Sequence, residues 1–318
     1  VKIITIHHPH SFHKDDFPPL SMALGYFDGV HRGHQNVMGK AKQIADEQNL
    51  KSAVMTFDPH PSVVLGRKHK HVQFITPLID KEELIKDIGI DYLFIVRFTS
   101  DFANLQPQEF VDQYLIKFNV KHVVAGFDYS YGRLGKGTME TLPFHSRDLF
   151  SQTTVSKLTD GDVKVSSTLI RDRLGNGDMT KVSTLLGRNY RTKGTVIHGD
   201  KRGRKIGFPT ANIELSEDYI IPNNGVYSVR IMVQGKWYNG VCNVGYKPTF
   251  NDPDHVSLSI EVHIFDFEGS IYGEEVIVEW HDRIRSEKKF NGIDQLIDQI
   301  EKDKLTAIHY FSAYSHKE

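Results

Sequence analysis

His31 and His34 flank a glycine in the segment His31-Arg32-Gly33-His34, which follows the apolar run Met22 to Phe27 and opens a helical pattern. The chemistry such a place suits is phosphate chemistry. Gly25, Gly29 and Gly33 let backbone approach a polyphosphate, and a helix start offers N–H groups without intrahelical partners. Paired imidazoles can then donate to charge growing on an α-phosphate. One histidine on a helix is most often structural; His-x-Gly-His directly after a strand points to function. Farther along, Ser167 and Thr168 can cap the helix that follows them. Arg171, one turn on, can reach phosphate through a charge-assisted hydrogen bond or sit in a surface salt bridge. Phe57-Asp58-Pro59-His60-Pro61 reads as a rigid turn after a strand, because a residue before proline is held extended.

A second constellation runs from Gly194 to Asn212. Gly199, Gly203 and Gly207 alternate with Lys201, Arg202 and Arg204, a composition that can fold over a nucleotide or form a solvated basic turn. It contains no GxxxxGK[ST] loop. Thr210 and Asn212 offer neutral oxygens suited to Mg²⁺ held mainly by phosphate. Glu261 stands in the strand-like run Ser257 to Phe265, where a carboxylate can accept a hydroxyl proton or pair across a sheet. Arg283 and Arg285 can serve an anionic ligand or end a charged strand.

The elements that must position these residues differ between the two halves. Met22 to Phe27, Gln35 to Gln48 and Ser52 to Phe57 form a strand, helix, strand pattern. Further strands are expected at Tyr92 to Val96 and His122 to Ala125, with a helix from Pro107 to Lys117 between them. This alternation predicts a parallel sheet covered by helices, with ligands beyond the carboxyl ends of its strands. From Ser166 to Leu186 two helical pieces are split by Gly175-Asn176-Gly177, and the domain junction is read near Leu186, giving domains 1–186 and 187–318. Runs at Gly194 to His198, Gly225 to Val233, Tyr238 to Val244, Ser257 to Phe265 and Glu275 to Trp280 predict a small antiparallel barrel. A closing helix is expected over Asn291 to Lys302.

With 318 residues, two domains are the natural expectation. Lys+Arg 39 against Asp+Glu 40 leaves a charge of -1, so no bulk field recruits a nucleic acid. The single cysteine, Cys242, excludes an internal disulfide and a thiolate-rich metal site. No apolar run of membrane-spanning length occurs, and Val1 to His13 lacks the pattern of a signal peptide. A cytoplasmic protein without a membrane or nucleic-acid partner is expected; composition does not specify an oligomeric state.

Gly25-Tyr26-Phe27-Asp28-Gly29-Val30-His31-Arg32-Gly33-His34 resembles the HxGH signature of nucleotidyltransferases in its prokaryotic FAD synthetase form. Thr56 to Pro61, Gly126-Phe127-Asp128-Tyr129-Ser130-Tyr131-Gly132 and Val165 to Arg171 are similar to further blocks of that family. Gly194 to Asn212, Asn243 to Phe250 and Glu261 to Phe267 resemble riboflavin kinase. Together, in this order, they resemble the bifunctional riboflavin kinase/FMN adenylyltransferase family.

The resemblance implies an α/β nucleotidyltransferase domain with a Rossmann-like parallel sheet, followed by a mainly-β barrel kinase. It implies phosphorylation of riboflavin by ATP to FMN, then adenylylation of FMN to FAD with release of pyrophosphate, with Mg²⁺ accompanying ATP. Alternatives are a single active domain, or a non-catalytic flavin or nucleotide sensor. By resemblance, Gly25, Phe27, Asp28, Gly29, His31, Gly33, His34, Ser167, Thr168 and Arg171 take ATP, and His31, His34 and Arg171 are catalytic. Phe57, Pro59, His60, Pro61, Asp128, Tyr129 and Tyr131 take flavin, although the family more often has Phe where this chain has Tyr129 and Tyr131. In the kinase, Gly194, Val196, His198, Gly199, Arg204, Gly207, Phe208, Pro209, Thr210 and Asn212 take ATP, Thr210 and Asn212 meet the metal, and Glu261 is the base.

Overall fold

The computed structural model describes residues 1–66, 72–199, 202–248 and 256–314. Lys201, Thr249 and Phe250, named above as parts of motifs, lie outside the described residues. The chain divides into two compact units, Val1–Ser167 and Thr168–Glu318.

In the first unit β1 (Lys2–Ile6), β2 (Leu20–Leu24), β3 (Lys51–Asp58), β4 (Tyr92–Arg97), β5 (Val120–Gly126) and β6 (Ser151–Val155) form one parallel sheet, ordered β1-β4-β3-β2-β5-β6. Successive strand residues point to opposite faces, so the apolar central strands feed two cores. Met22, Leu24, Met55 and Phe94 pack on one side; Ala23, Val54, Leu93 and Ile95 pack on the other. Helix α1 (Arg32–Glu47) covers the second face with Val37, Met38, Ala41 and Ile44. Helix α2 (Leu78–Asp87) adds Ile85 to the same core. The chain winds from β2 to β3 and β4, whereas β5 returns to the opposite flank of β2. Ligands bind beyond the strand ends at such a reversal.

Strand β2 stops at Leu24, short of the expected Phe27, because Phe27 (φ 59), Gly29 (φ 88) and Val30 (φ 40) take left-handed conformations that a strand cannot hold. Helix α1 begins at Arg32, three residues before the expected Gln35, because His31 caps it. The helix expected over Pro107 to Lys117 is α-helical over Pro107–Phe110 and π-helical over Val111–Ile116, with Lys117 N–H donating to Asp112 O at 3.2 Å.

Helices α3 (Ser167–Asn176), which belongs to the second unit from Thr168 on, and α4 (Met179–Leu186) precede the barrel. Gly177 (φ 72) separates them, and a Cβ there would come within 2.6 Å of Tyr227 Oη and 2.7 Å of Arg283 Cδ. Helix α4 buries Met179, Val182, Leu185 and Leu186 and packs on the first and last barrel strands. The structural division therefore falls two helices before the change of pattern near Leu186.

The barrel strands are β7 (Tyr190–Ile197), β8 (Ala211–Leu215), β9 (Gly225–Val233), β10 (Lys236–Pro248), β11 (Val256–Ile264) and β12 (Glu275–Arg285). They close in the order β7-β8-β11-β10-β9-β12, every pair antiparallel. Closure removes both sheet edges. Helix α5 (Ile293–Tyr314) runs well past the expected Lys302 and packs Ala307 and Phe311 against Phe265. Arg283 and Arg285 do not form a loose strand end, since both make hydrogen bonds within the second unit, while Arg283 Nε is buried without a partner. Arg283 donates to the carbonyls of Asn176 and Asn224, and Arg285 donates to Asp303 of α5 at 2.8–3.0 Å.

One polar network fixes the barrel seam where β7 meets β12. Glu279, buried, accepts from Arg191 Nε at 2.7 Å and pairs with His281 Nε2 at 2.9 Å. Burial alone would raise its pKa, but the His281 and Arg191 hydrogen bonds and the Arg191 charge outweigh that and hold it at about 2, against an ordinary 4.5. A carboxylate depressed on folding contributes stability above its unfolded pKa and loses it as pH falls through the folded value. Barrel stability should therefore decline between about pH 4.5 and 2. Glu279→Gln should flatten that decline and destabilise at pH 7 by roughly 3 kcal/mol, the low end for breaking a buried pair, because Arg191 is half exposed. Both tryptophans, Trp237 and Trp280, lie in this barrel, so tryptophan fluorescence during urea unfolding reads the change.

Candidate active sites

The turn that leaves β2 is built around its glycines. A Cβ on Gly25 would meet the Phe27 ring at 2.6 Å, and one on Gly33 would meet the His31 ring at 3.1 Å. His31 is buried, and its Nδ1 accepts from His34 N–H at 3.2 Å, which leaves the proton on Nε2. The two imidazoles stack with centroids 3.5 Å apart, and Phe27 meets His34 edge-on. Burial, with the charges of His31, Lys81 and Lys164 adding to it, pushes His34 well below the ordinary histidine range, so it is neutral at pH 7. Its Nδ1 is buried without a hydrogen-bond partner. Such atoms are rare in folded proteins unless a ligand or water completes them.

Asp28 turns away from this face. Its buried carboxylate accepts from the N–H groups of Ile75 and Thr76, each at 3.1 Å, and its carbonyl accepts from Ser167 Oγ at 2.8 Å. Ser167, the last residue of the first unit, is thereby bonded to the turn. Thr168 is exposed and Arg171 half-buried on α3, in the second unit.

Beside His34 a cavity of about 650 Å³ opens at the carboxyl ends of β2, β3 and β5, within the roughly 300–1,000 Å³ that ligand pockets span. Gly25, Phe27, His34, Phe57, Pro61, Asp128, Tyr129 and Tyr131 line it, which brings both sets of predicted residues around one space. Tyr131 Oη is committed to His145 Nδ1 at 2.7 Å. Asp128 is ion-paired with Lys164. Pro59 and His60 stand outside the lining; His60 caps the short helix Pro61–Leu65 and packs against Tyr26. Phe98, Phe102, Leu105, Phe110 and Leu134 complete the wall. The sequence does not mark these residues, since apolar side chains carry no signal that separates a cavity wall from a core.

Nothing in the sequence singles out Lys81 of α2. Its Nζ donates to Tyr26 O at 2.8 Å and lies 4.2 Å over the Tyr26 ring, with the residue only 2% exposed.

In the second unit Thr210, Asn212 and Glu261 come together. Glu261 faces Asn212 across one strand pair and Asn243 across the other. Its carboxylate accepts from Ser259 Oγ at 3.0 Å and from Thr210 Oγ1 at 3.4 Å. Ile260 and Val262 point into the barrel, so Glu261 lies on its outer face, half-buried. A Cβ on Gly199 would strike the Asn212 side chain at 2.2 Å, so only glycine lets the chain pass that close. Val196, Arg204, Pro209 and Thr210 line a slot of about 70 Å³. Phe208 is buried, and Pro209 O accepts from His263 Nδ1 at 2.9 Å. Exposed His198 lies against Tyr272, Gly207 (φ 90) turns the chain, and Gly194 allows close approach of β8, where a Cβ would stand 2.4 Å from Glu214 O. Among the described residues no group of three His, Cys, Asp or Glu could hold a metal ion.

The sequence description of FAD synthetase matches residues 13–169, and that of riboflavin kinase matches residues 186–311. A bifunctional riboflavin kinase/FMN adenylyltransferase of Bacillus subtilis (strain 168) is 55% identical over 312 residues, covering 98% of this chain and 99% of its own length. The protein of that name from Listeria monocytogenes is 50% identical over 314 residues, with coverage of 98% and 99%. A crystal structure described as a macrolide-efflux protein from Streptococcus pneumoniae matches with a TM-score of 0.87 at 36% identity, over 96% of this chain and 99% of that one. Among the described residues no helix is long and apolar enough to cross a membrane.

Proposed function

Since the chain belongs to the bifunctional riboflavin kinase/FMN adenylyltransferase family, we propose that its second unit makes FMN and its first unit makes FAD. The observation that carries the assignment of the first unit is the buried, unpartnered Nδ1 of His34 at the wall of an aromatic-lined cavity. A flavin ring suits the aromatic wall, and its phosphate then lies toward the start of α1. An FMN phosphate oxygen attacks the α-phosphorus of ATP, the bond from that phosphorus to the β-phosphate oxygen breaks, and pyrophosphate leaves. The nucleophile is already anionic, so no side chain need take a proton. His31, through its Nε2 proton, and His34 position the phosphates and offset their charge. Arg171 is assigned to the same task by the family resemblance alone.

In the second unit Glu261 accepts the proton of the ribityl 5′-hydroxyl as that oxygen bonds to the γ-phosphorus and ADP departs. Thr210 and Asn212 fit a hard cation that phosphate mainly holds, since both offer neutral oxygen beside a carboxylate. Mg²⁺, bound there with ATP, supplies charge neutralisation on the transferred phosphoryl group. A cytoplasmic location accords with the one cysteine, Cys242, a buried free thiol.

Incubation with riboflavin, ATP and Mg²⁺, followed by chromatographic separation of the flavins, tests the activity. FMN should appear first and FAD after it. A fragment spanning 168–318, which keeps the apolar face of α4 on the barrel, should convert riboflavin to FMN and make no FAD. A folded fragment without kinase activity would contradict a self-sufficient kinase site.

A further inference from the structure

Lys81 is a buried cation that the chemistry above does not use. Its ammonium reaches Tyr26 O at 2.8 Å and the Tyr26 ring at 4.2 Å. Among the described residues no carboxylate forms an ion pair with it, and one oxygen of the nearby Asp28 carboxylate accepts from the N–H groups of Ile75 and Thr76. Burying a charge without a close counter-ion is costly. A methionine or leucine would fill the same volume more cheaply if packing were all that the position required. The segment from Ile75 to Lys81 instead grips the turn twice: Asp28 is held by backbone N–H groups, and Tyr26 is held by the ammonium. Between these grips lies Phe27, whose left-handed φ of 59 a non-glycine residue adopts only where its surroundings impose it. The same charge is felt at His34, so it acts on the face where phosphate charge develops.

We propose that Lys81 is a positioning residue for adenylyl transfer, its ammonium holding the Tyr26 carbonyl and keeping a fixed positive charge beneath the turn that carries His31 and His34. The proposal rests on the reading that the first unit makes FAD. It predicts a protonation requirement. Burial lowers the Lys81 pKa to about 8, while Asp28 from the turn and Asp58 from β3 favour the charged form; His34 of α1 is the other titratable group it faces. Below pH 8 the ammonium is in place, and above it the charge is lost.

The test measures kcat for FAD formation from supplied FMN across pH 6.5 to 9.5, with FMN formation from riboflavin and melting temperature read on the same preparations. The wild-type protein should show an alkaline fall in FAD formation centred near pH 8 that FMN formation lacks. Lys81→Arg keeps a charge that does not titrate in this range, so its FAD formation should stay within about fivefold at pH 7 and the fall near pH 8 should vanish. Lys81→Met keeps the volume without the charge and should lose roughly 10- to 100-fold in kcat at pH 7, with FMN formation unchanged. An alkaline fall that is absent in the wild type, or that persists near pH 8 in Lys81→Arg, would overturn the proposal, as would full kcat in Lys81→Met. Absence of FAD from the wild-type protein would instead overturn the reading on which it rests.

Discussion

His34→Ala should lower FAD formation from supplied FMN by roughly 10²- to 10³-fold, the range for loss of one preorganised donor to developing charge, and leave FMN formation from riboflavin at its wild-type rate. His34 has a buried ring nitrogen with no protein partner, so its removal breaks no hydrogen bond at that nitrogen and costs the protein only the ring contacts with His31 and Phe27. His31→Ala should show a similar kinetic loss with an added structural cost. Its Nδ1 caps α1 by accepting from His34 N–H, and losing a cap costs about 1 kcal/mol. His31→Asn restores a cap acceptor without the Nε2 proton, so it should regain stability and not activity. Steady-state rates and melting temperatures of the three variants separate these contributions. A His34→Ala protein that is folded and makes FAD normally would remove the imidazole pair from the chemistry.

The second large effect is expected at Glu261. Glu261→Gln keeps the side-chain shape and the contacts with Ser259 and Thr210 while removing the proton acceptor. A general base typically contributes about 10²- to 10⁴-fold, and FMN formation should fall within that range. Riboflavin and ATP should still bind, and adenylylation of supplied FMN should stay near normal. The competing reading draws on the same geometry: Glu261 lies between Asn212 and Asn243 on an outer strand face, where a carboxylate often pairs across strands. In that case the amide would lower the melting temperature and spare turnover. Kinase rate, ligand affinity and melting temperature on one preparation distinguish the two.

The sequence carried the central strands and missed the edges, for a physical reason. β2 and β3 are buried on both faces and read as apolar runs, whereas β1 and β6 are half exposed and mix polar with apolar residues. The end of β2 was misjudged because Phe27 and Val30 are good strand formers, and their left-handed conformations are imposed by the turn. The antiparallel barrel was legible from its evenly spaced short runs, but the strand pair that closes it was not, because Tyr190 meets Trp280 across most of the second unit. His34 and Thr210 stood out by residue type and spacing, whereas Tyr129 and Glu261 were singled out by the family resemblance of the blocks that hold them. Lys81 was not: a lysine on a short amphipathic helix reads as solvated, and its burial follows from a carbonyl 55 residues away in the chain. The same limit hid Phe98, Phe102 and Phe110, whose role depends on the empty space that they face.

The central claim is that two separate sites, one in each unit, act in succession. The most direct test runs His34→Ala and Glu261→Gln side by side with ATP and Mg²⁺, each supplied once with riboflavin and once with FMN, and separates the flavins by chromatography. His34→Ala should turn riboflavin into FMN and stop there, and Glu261→Gln should leave riboflavin almost unchanged yet convert supplied FMN to FAD. A single variant that is folded and loses both conversions would contradict the account.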